Sequence, residues 1–553
     1  MPSAKAGRRL RDRLPVRLRH HWKPATALGV GLAAMVYFLG DARISPYVTS
    51  SSRVEADAIT DDVQGTVDLY DTSVSHSIQL AYQQTDFDKM MKEFKDDGTK
   101  DYIEADLTID GVYLNDVGIR LKGNSTLSSL RGAKGMPGGG RDMPQGGQGA
   151  PAGGAPGGAA GKEAGAGAGA GAAGKGQQAG GQGQGQGQKA AGGQGQKAGG
   201  KGGMGGMMQF NLSAKKPEEL PWLVKVDEYV EGRAYQGERE ISLRPGSNGQ
   251  VPANEALSLS LTGESGQKAE RYAFTKLKVN NRPAATRLMV EAPDTDYADD
   301  VSGGNAVLYK ARASGSFEYK SDDPSDYETS FKQLNKKGSQ DLEPVMKLIK
   351  WASKASDKEF ARDLDTYVDV DSFAKYVASQ NLLLNFDDMA GPGKNYLLSY
   401  DLDTKKFSVL GWDYNLTFSG DATTGPDDSV GMGGGMPGGA PGGAAQGKQG
   451  GGGADADAGA KGGMGGMGGR MQHVLKSKFL DSDAFAGVYQ KAYGELYQKF
   501  YGSGTATKDL KEIADQARKA GADSKEFDTA VTKLQKTVTD RSTALAKNKK
   551  VTG

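Results

Sequence analysis

Two glycine-rich stretches interrupt this chain of 553 residues, and they set the strongest limit on what it can fold into. They fall within residues 132–206 and 420–470, which are rich in Gly, Ala, Gln and Met. Ordering such segments would cost backbone entropy, with little apolar surface to bury in return. We therefore predict two disordered insertions in a core of about 350–400 residues, which is enough for one large or two-lobed domain.

The N-terminus joins a basic segment to an uncharged one. Residues 1–23 contain six arginines and a single acidic residue, and residues 24–40 carry no charge. The uncharged run is near the lower length limit for crossing a bilayer. Because basic flanks stay in the cytoplasm, we expect a membrane anchor with a stalk over 41–66 and a folded domain over 67–547 outside the cell membrane. A cleaved signal peptide is the alternative, although no small-x-small cleavage site follows the apolar run.

The composition excludes several classes of chemistry. The chain has no cysteine, so disulfides, thiolate metal sites and cysteine nucleophiles are absent. Only four histidines occur, and two of them belong to the basic tail, which argues against a histidine zinc site or a Ser-His-Asp triad. The net charge of +1 gives no electrostatic reason to expect a nucleic-acid partner. The chemistry must use carboxylates, amides, lysines and a hard metal ion.

The N-terminal half has the alternating pattern of antiparallel strands. Apolar and polar residues alternate over 101–108, 112–114 and 117–121, with turn residues between them. Further strands are predicted over 74–80, 209–213, 223–226, 241–243, 276–279, 285–290 and 306–310.

The C-terminal half changes to a helical period. It covers residues 342–380, with Asp371 as the predicted N-cap of a helix over 372–384, and most of residues 471–547. Two earlier helices are predicted over 86–94 and 254–261, and a strand pair over 396–400 and 406–410. The sequence thus predicts an α+β fold with a β-rich first half and a helical second half.

Two acidic segments flank the short strand pair near the middle of the chain. Asp387 comes at the end of an apolar run, and Asn395 lies eight residues later. Asp413 comes at the end of an apolar predicted strand. Asp and Asn are also common in ordinary turns. A carboxylate at the end of an apolar element is costly unless a charged group compensates it, which favours a site that holds a divalent metal.

A small-residue turn is a candidate phosphate site. A predicted strand that includes Gly118 to Leu121 is followed by a turn at Gly123. Arg120, Lys122 and Asn124 are next to this turn in the sequence. Backbone N–H groups of such a turn, with basic side chains nearby, can bind phosphate, although most turns of this kind have no ligand. A glycine-rich segment over 169–176 resembles a P-loop, but it lacks the Ser or Thr after the lysine and lies in low-complexity sequence.

A lysine on a strand and a glutamate on the next helix could anchor nucleotide phosphates. Lys225 lies in a predicted strand and Glu255 near the start of the following helix. In kinases such a pair fixes the phosphates. The alternative is that both are ordinary solvated charges, and Lys122 and Lys310 compete for the same role.

Several of these segments together resemble the CotH kinases, a family named for a spore-coat protein. Single segments are modestly specific, but their order along the chain is that of the family: Gly118–Ser125, Leu223–Tyr229, Asn254–Glu255, Val279–Glu291, Leu308–Lys310, Asn385–Asp387, Lys394–Tyr396 and Gly411–Asp413.

The resemblance implies a two-lobed atypical, secretory-type protein kinase fold. It implies transfer of phosphate from ATP to Ser or Thr of envelope or coat proteins, with Mg²⁺ or Mn²⁺. Asp387 would be the catalytic acid–base, while Asn395 and Asp413 would hold the metal. Arg120, Lys122, Asn124, Lys225 and Glu255 would contact the nucleotide. A catalytically inactive surface scaffold on the same fold is the alternative.

Overall fold

The computed structural model describes residues 58–123, 125–131, 211–246, 251–430 and 473–552. The basic tail 1–23, the expected anchor 24–40, Asn124 and the glycine-rich stretch 132–206 lie outside the described residues. Of the helices that the structure describes, none is long and apolar enough to cross a membrane.

The strands lie mostly in the first two thirds of the chain. In chain order they are β1 (Asp61–Val63), β2 (His76–Tyr82), β3 (Ile103–Ile109), β4 (Val112–Leu121), β5 (Trp222–Lys225), β6 (Arg233–Tyr235), β7 (Glu240–Leu243), β8 (Tyr272–Val279), β9 (Ala285–Glu291), β10 (Ala306–Ala311), β11 (Phe331–Gln333), β12 (Tyr396–Asp401) and β13 (Phe407–Gly411).

Three helices precede β9, and the other described helices follow it and dominate the C-terminal part. They are α1 (Gln84–Asp96), α2 (Ser128–Arg131), α3 (Ala253–Glu264), α4 (Thr295–Ser302), α5 (Glu343–Lys354), α6 (Asp357–Tyr367), α7 (Val370–Leu382), α8 (Val474–Asp481), α9 (Asp483–Tyr497), α10 (Thr505–Lys519), α11 (Lys525–Ala546) and α12 (Lys549–Thr552). The predicted α+β class, with a β-rich first half and a helical second half, is confirmed.

Seven strands form a closed barrel in the order β2-β3-β4-β5-β7-β9-β8. Neighbours are antiparallel except β2 and β8, which run parallel. The inward residues, such as Leu107, Ile119 and Trp222, form a core of their own, because successive side chains on a strand point to opposite faces. β4 continues through Asn115 and Asp116, where two separate strands are predicted, since a register shift against β3 absorbs the irregularity.

A second sheet carries the candidate site. Its strand order is β11-β10-β12-β13, all antiparallel, and it packs with α3 and the C-terminal helices in a separate, larger core. The predicted strand pair is present as the hairpin of β12 and β13, with Tyr396 opposite Gly411. Asn395 and Trp412 therefore lie at the same end of this hairpin.

The structure corrects three local predictions. The N-cap of α7 is Asp369, whose carboxylate accepts from the Ser372 backbone N–H at 3.0 Å, rather than Asp371. Residues 211–213 form no strand. The fold begins before residue 67, because β1 lies within the expected stalk and pairs with β6 of the folded domain.

The second insertion also starts later than residue 420. The described residues 421–430 are held by side chains of the helical core: Asn381 donates to the Gly425 and Asp428 carbonyls, and the buried Arg541 donates to Ala422 and Thr424.

Candidate active site

Asp387 lies in a tight turn that its neighbours build. The turn follows α7, and the backbone N–H of Asp387 donates to Oδ1 of Asn385 at 3.0 Å. The amide of Asn385 in turn donates to Gln380 Oε1 at 2.6 Å. Both asparagine contacts are buried, so the turn is fixed to the end of the helix before any ligand binds.

The Asp387 carboxylate is 7% exposed and has two donors. Gly393 donates its backbone N–H to Oδ1, and Asn395 donates from Nδ2 to Oδ2 at 3.1 Å. Burial raises the pKa of Asp387 to about 6, the neighbouring carboxylates of Asp413 and Asp388 add to the rise, and the two donors oppose it. Asp387 is therefore a carboxylate poised to exchange a proton near neutral pH.

Asp413 follows β13 in a left-handed backbone conformation, with φ 57°. One of its carboxylate oxygens, Oδ1, is buried and accepts no hydrogen bond from the described residues. The Asn395 Nδ2 that donates to Asp387 also lies 3.5 Å from the Asp413 carbonyl oxygen. The predicted trio of Asp387, Asn395 and Asp413 is thus brought together.

This trio suits a hard divalent cation better than a histidine-type metal. Oxygen ligands are what Mg²⁺ prefers, and the buried Asp413 Oδ1 accepts no hydrogen bond from the described residues, with Arg244 Nη2 3.6 Å away. Within the described ranges, no group of three or more His, Cys, Asp or Glu side chains is placed to hold a metal. An ion here would be held by the Asp413 carboxylate and the Asn395 amide oxygen, with its remaining positions left for water and phosphate, as is usual for Mg²⁺.

Two lysines lie close enough to Asp413 for its charge to raise their pKa values. Lys122 follows β4 and Lys310 lies on β10, and both are half-buried. Burial and the charge of Lys122 lower the pKa of Lys310 to about 7. Burial and the nearby Arg244 lower the pKa of Lys122 to about 8. Neither ammonium forms an ion pair with a described carboxylate, so both remain available to an anion.

A buried arginine connects α3 to Asp413. Arg244 follows β7, and its Nη2 lies 2.5 Å from Glu255 Oε1 and 3.6 Å from Asp413 Oδ1. Burial raises the pKa of Glu255 to about 7, and the ion pair with Arg244 opposes the rise. Glu255 thereby positions the guanidinium that faces the Asp413 carboxylate.

The expected pair of Lys225 and Glu255 is replaced by two other pairs. Lys225 Nζ lies 2.7 Å from Glu228 and 3.8 Å from Asp227, whereas Glu255 is bound to Arg244. The reason is the strand alternation of β5, where Trp222 and Val224 face the barrel interior and Lys225 faces the other way.

The remaining phosphate-turn candidates are divided. Arg120 lies over the ring of Tyr102 at 5.1 Å and donates to a neighbouring carbonyl, while Lys122 reaches the site. Asn124 lies outside the described residues.

A family model described as CotH kinase protein matches residues 210–544, more than half of the chain. The chain belongs to the CotH family. Over 200 residues it is 25% identical to the inner spore coat protein H of Bacillus subtilis (strain 168), which is 35% of this chain and 54% of the relative. The chain thus spans about half the length of the curated relative that it matches.

Three residues at the site of this CotH family protein were not predicted from the sequence. Arg244 follows a strand and precedes a proline, like many loop arginines. Lys476 on α8 is an ordinary helical lysine, yet it is bound to Asp388, next to Asp387. Gly393 has one sequence cue, its place between proline and lysine, but only the structure shows that a Cβ there would lie 2.3 Å from Asp387 Oδ2.

Proposed function

We propose that this CotH family protein is a metal-dependent Ser/Thr protein kinase that transfers the γ-phosphate of ATP to cell-envelope or spore-coat proteins. The observation that carries the proposal is the meeting of Asp387, Asn395 and Asp413 with the two lysines Lys122 and Lys310. Phosphoryl transfer needs mainly positioning and charge neutralisation, and this arrangement contains groups for both. The Bacillus subtilis relative is named as an inner spore coat protein, so we take coat proteins as candidate acceptors.

The basic side chains would bind the polyphosphate. Lys122 and Lys310 approach from two different sheets, and each lacks a carboxylate partner among the described residues. Because Lys122 lowers the pKa of Lys310 and Arg244 lowers the pKa of Lys122, an anionic ligand would relieve this repulsion as well as bind the two lysines. Arg244 is held by Glu255 and is thereby kept beside Asp413.

Asp387 would accept the proton of the acceptor hydroxyl. The hydroxyl oxygen forms a bond to the γ-phosphorus while the bond from that phosphorus to the β,γ-bridging oxygen breaks, and ADP leaves with the electron pair. The proton released from the hydroxyl passes to the Asp387 carboxylate. With a pKa of about 6, this carboxylate is mostly ionised at neutral pH and still basic enough to take the proton.

Asp413 and Asn395 would hold the divalent ion, together with phosphate oxygens and water. A bound Mg²⁺ or Mn²⁺ would neutralise charge on the phosphates. The buried Oδ1 of Asp413, with no donor, is the observation that fits such an ion. Asn395 links Asp387 to Asp413, because its Nδ2 contacts the Asp387 carboxylate and the Asp413 carbonyl oxygen.

Residues 24–40 would anchor the protein in the cell membrane, with the kinase domain outside the cytoplasm. In that place its partners are proteins of the envelope or coat, and nucleic acid is not among them.

The test is incorporation of labelled phosphate from ATP into a Ser- and Thr-containing peptide library, with Mg²⁺, Mn²⁺ or EDTA. Asp387→Asn and Asp413→Asn are compared with Asp403→Asn, an exposed aspartate at the opposite end of the same β12–β13 hairpin. We expect label that depends on metal, is lost in the first two variants and is kept in the third. No label and no stabilisation by MgATP in the wild type would favour the inactive scaffold, because a ligand that binds only the native state must raise the melting temperature.

A further inference from the structure

The Lys310 ammonium lies on the face of an aromatic ring. Lys310 is on β10, Trp412 follows β13, and both strands flank β12. The Nζ atom of Lys310 is 3.5 Å from the centroid of the Trp412 ring. This is well within the distance at which a cation is attracted by the electron-rich face of an indole.

The charges around Lys310 do not explain its position. Lys122 and Lys332 repel it, while Asp413 and Glu240 attract it from beyond ion-pair distance. Among the described residues, the Trp412 ring is therefore the nearest group that stabilises the charged form of Lys310.

The ring itself is held by packing. Trp412 packs against a small apolar cluster that includes Tyr297, Leu308 and Leu397. Its indole Nε1 is buried and makes no hydrogen bond to the described residues. Packing alone would account for an apolar side chain here, but it does not require an indole whose face is turned to a lysine.

We propose that Trp412 is a positioning residue, which holds the Lys310 ammonium beside Asp413 until a phosphate group of the nucleotide replaces the ring as its partner. The use of Lys310 for phosphate rests on the proposed function, whereas the contact with Trp412 rests on the structure alone. The ring keeps the ammonium at the site without a carboxylate, which would compete with the phosphate for it.

Acetylation of Lys310 by acetic anhydride, followed by mass spectrometry across a range of pH, tests the contact in the full chain without nucleotide. The variants are Trp412→Leu, which removes the ring, and Trp412→Phe, which keeps an aromatic face. Trp351→Leu is the matched control. Trp351 is also half-buried, but it stacks on Phe360 and Tyr367 of α6. The pH profile separates the charge of Lys310 from its accessibility.

We expect the apparent pKa of Lys310 to fall by roughly 0.5–1 in Trp412→Leu, because the lost attraction favoured the charged form. It should stay near the wild-type value in Trp412→Phe and in Trp351→Leu. A folded Trp412→Leu variant with the wild-type pKa would overturn the proposal. So would a Trp412→Phe variant that falls as far as the leucine variant, because packing and not the aromatic face would then be responsible.

A second arm adds MgATP and separates this inference from the proposed function. Protection of Lys310 from acetylation in the wild type supports the phosphate role. If MgATP neither protects Lys310 nor raises the melting temperature, the phosphate role and the kinase proposal both fail, and the Trp412 contact is judged by the nucleotide-free arm alone.

Discussion

Asn395 donates a hydrogen bond from Nδ2 to Oδ2 of Asp387 at 3.1 Å, and the same nitrogen lies 3.5 Å from the Asp413 carbonyl. One amide therefore links the two acidic segments. We expect Asn395→Ala to lower phosphate transfer about ten- to hundredfold, the usual cost of losing a group that orients a reactive or metal-binding side chain. Initial rates with saturating MgATP measure the effect. Asn305→Ala, an exposed asparagine in the turn before β10, serves as the control and should keep the wild-type rate.

Asp387→Asn should stabilise the protein in EDTA while abolishing transfer. The pKa of Asp387 is raised from 3.8 to about 6 in the folded state. Ionisation of this carboxylate therefore lowers the free energy of unfolding as the pH rises above 3.8, and the full loss is reached above about 6. The variant should gain about 1–3 kcal/mol in free energy of unfolding at neutral pH. The gain should shrink as the pH falls through about 6 and vanish below 3.8. Urea unfolding at several pH values measures it, and a variant less stable than wild type at neutral pH would contradict the assigned environment.

Gly393→Ala should damage the site for reasons of space alone. An added Cβ would lie 2.3 Å from Asp387 Oδ2, a contact that the buried turn can relieve only by moving the carboxylate. We expect a loss of about 1–3 kcal/mol in stability, as is typical of overpacking, together with loss of transfer. Gly263→Ala is the matched control: this glycine is exposed near the end of α3, and its Cβ would meet nothing within 4 Å. That variant should be neutral or gain up to about 1 kcal/mol. Thermal unfolding of both variants decides the comparison.

Arg244→Ala should be strongly destabilising. It leaves Glu255, which is fully buried, without its cation, and it removes the cation nearest to Asp413. Breaking a buried pair on one side costs about 3–5 kcal/mol. The exposed pair of Lys350 and Asp322 is the comparison, and Lys350→Ala should leave the stability close to that of the wild type.

A double variant separates the charge from the packing of that site. Arg244→Met combined with Glu255→Gln removes both charges, so it should recover much of the stability lost in Arg244→Ala. Equal losses in the single and double variants would assign the effect to packing and not to the uncompensated carboxylate.

The strands with a long alternating pattern were predictable, and the short ones were not. β2 and β3 have seven residues each, and every second residue along them is buried, which gives a clear period of two. β1, β6 and β11 have three residues each, too few for any period, and they are strands only because a partner lies beside them. The N-cap of α7 was misplaced by two residues because both Asp369 and Asp371 can cap a helix.

The sequence by itself determined the meeting of Asp387, Asn395 and Asp413. All three lie within 27 residues, and a short hairpin between them leaves little freedom in how they approach. The CotH resemblance was also predicted from the sequence, by the order of the segments between Gly118 and Asp413, and the family model over residues 210–544 confirms it.

Only the tertiary structure decided which cations join them. Lys122, Arg244 and Lys310 come from three strands far apart in the chain, and the register of the two sheets selects them over Lys225. A shift of one residue along a strand turns every side chain to the opposite face, and no local pattern fixes that choice for a lone charged residue. The acidic half of the site is therefore a property of local sequence, and the basic half is a property of long-range packing.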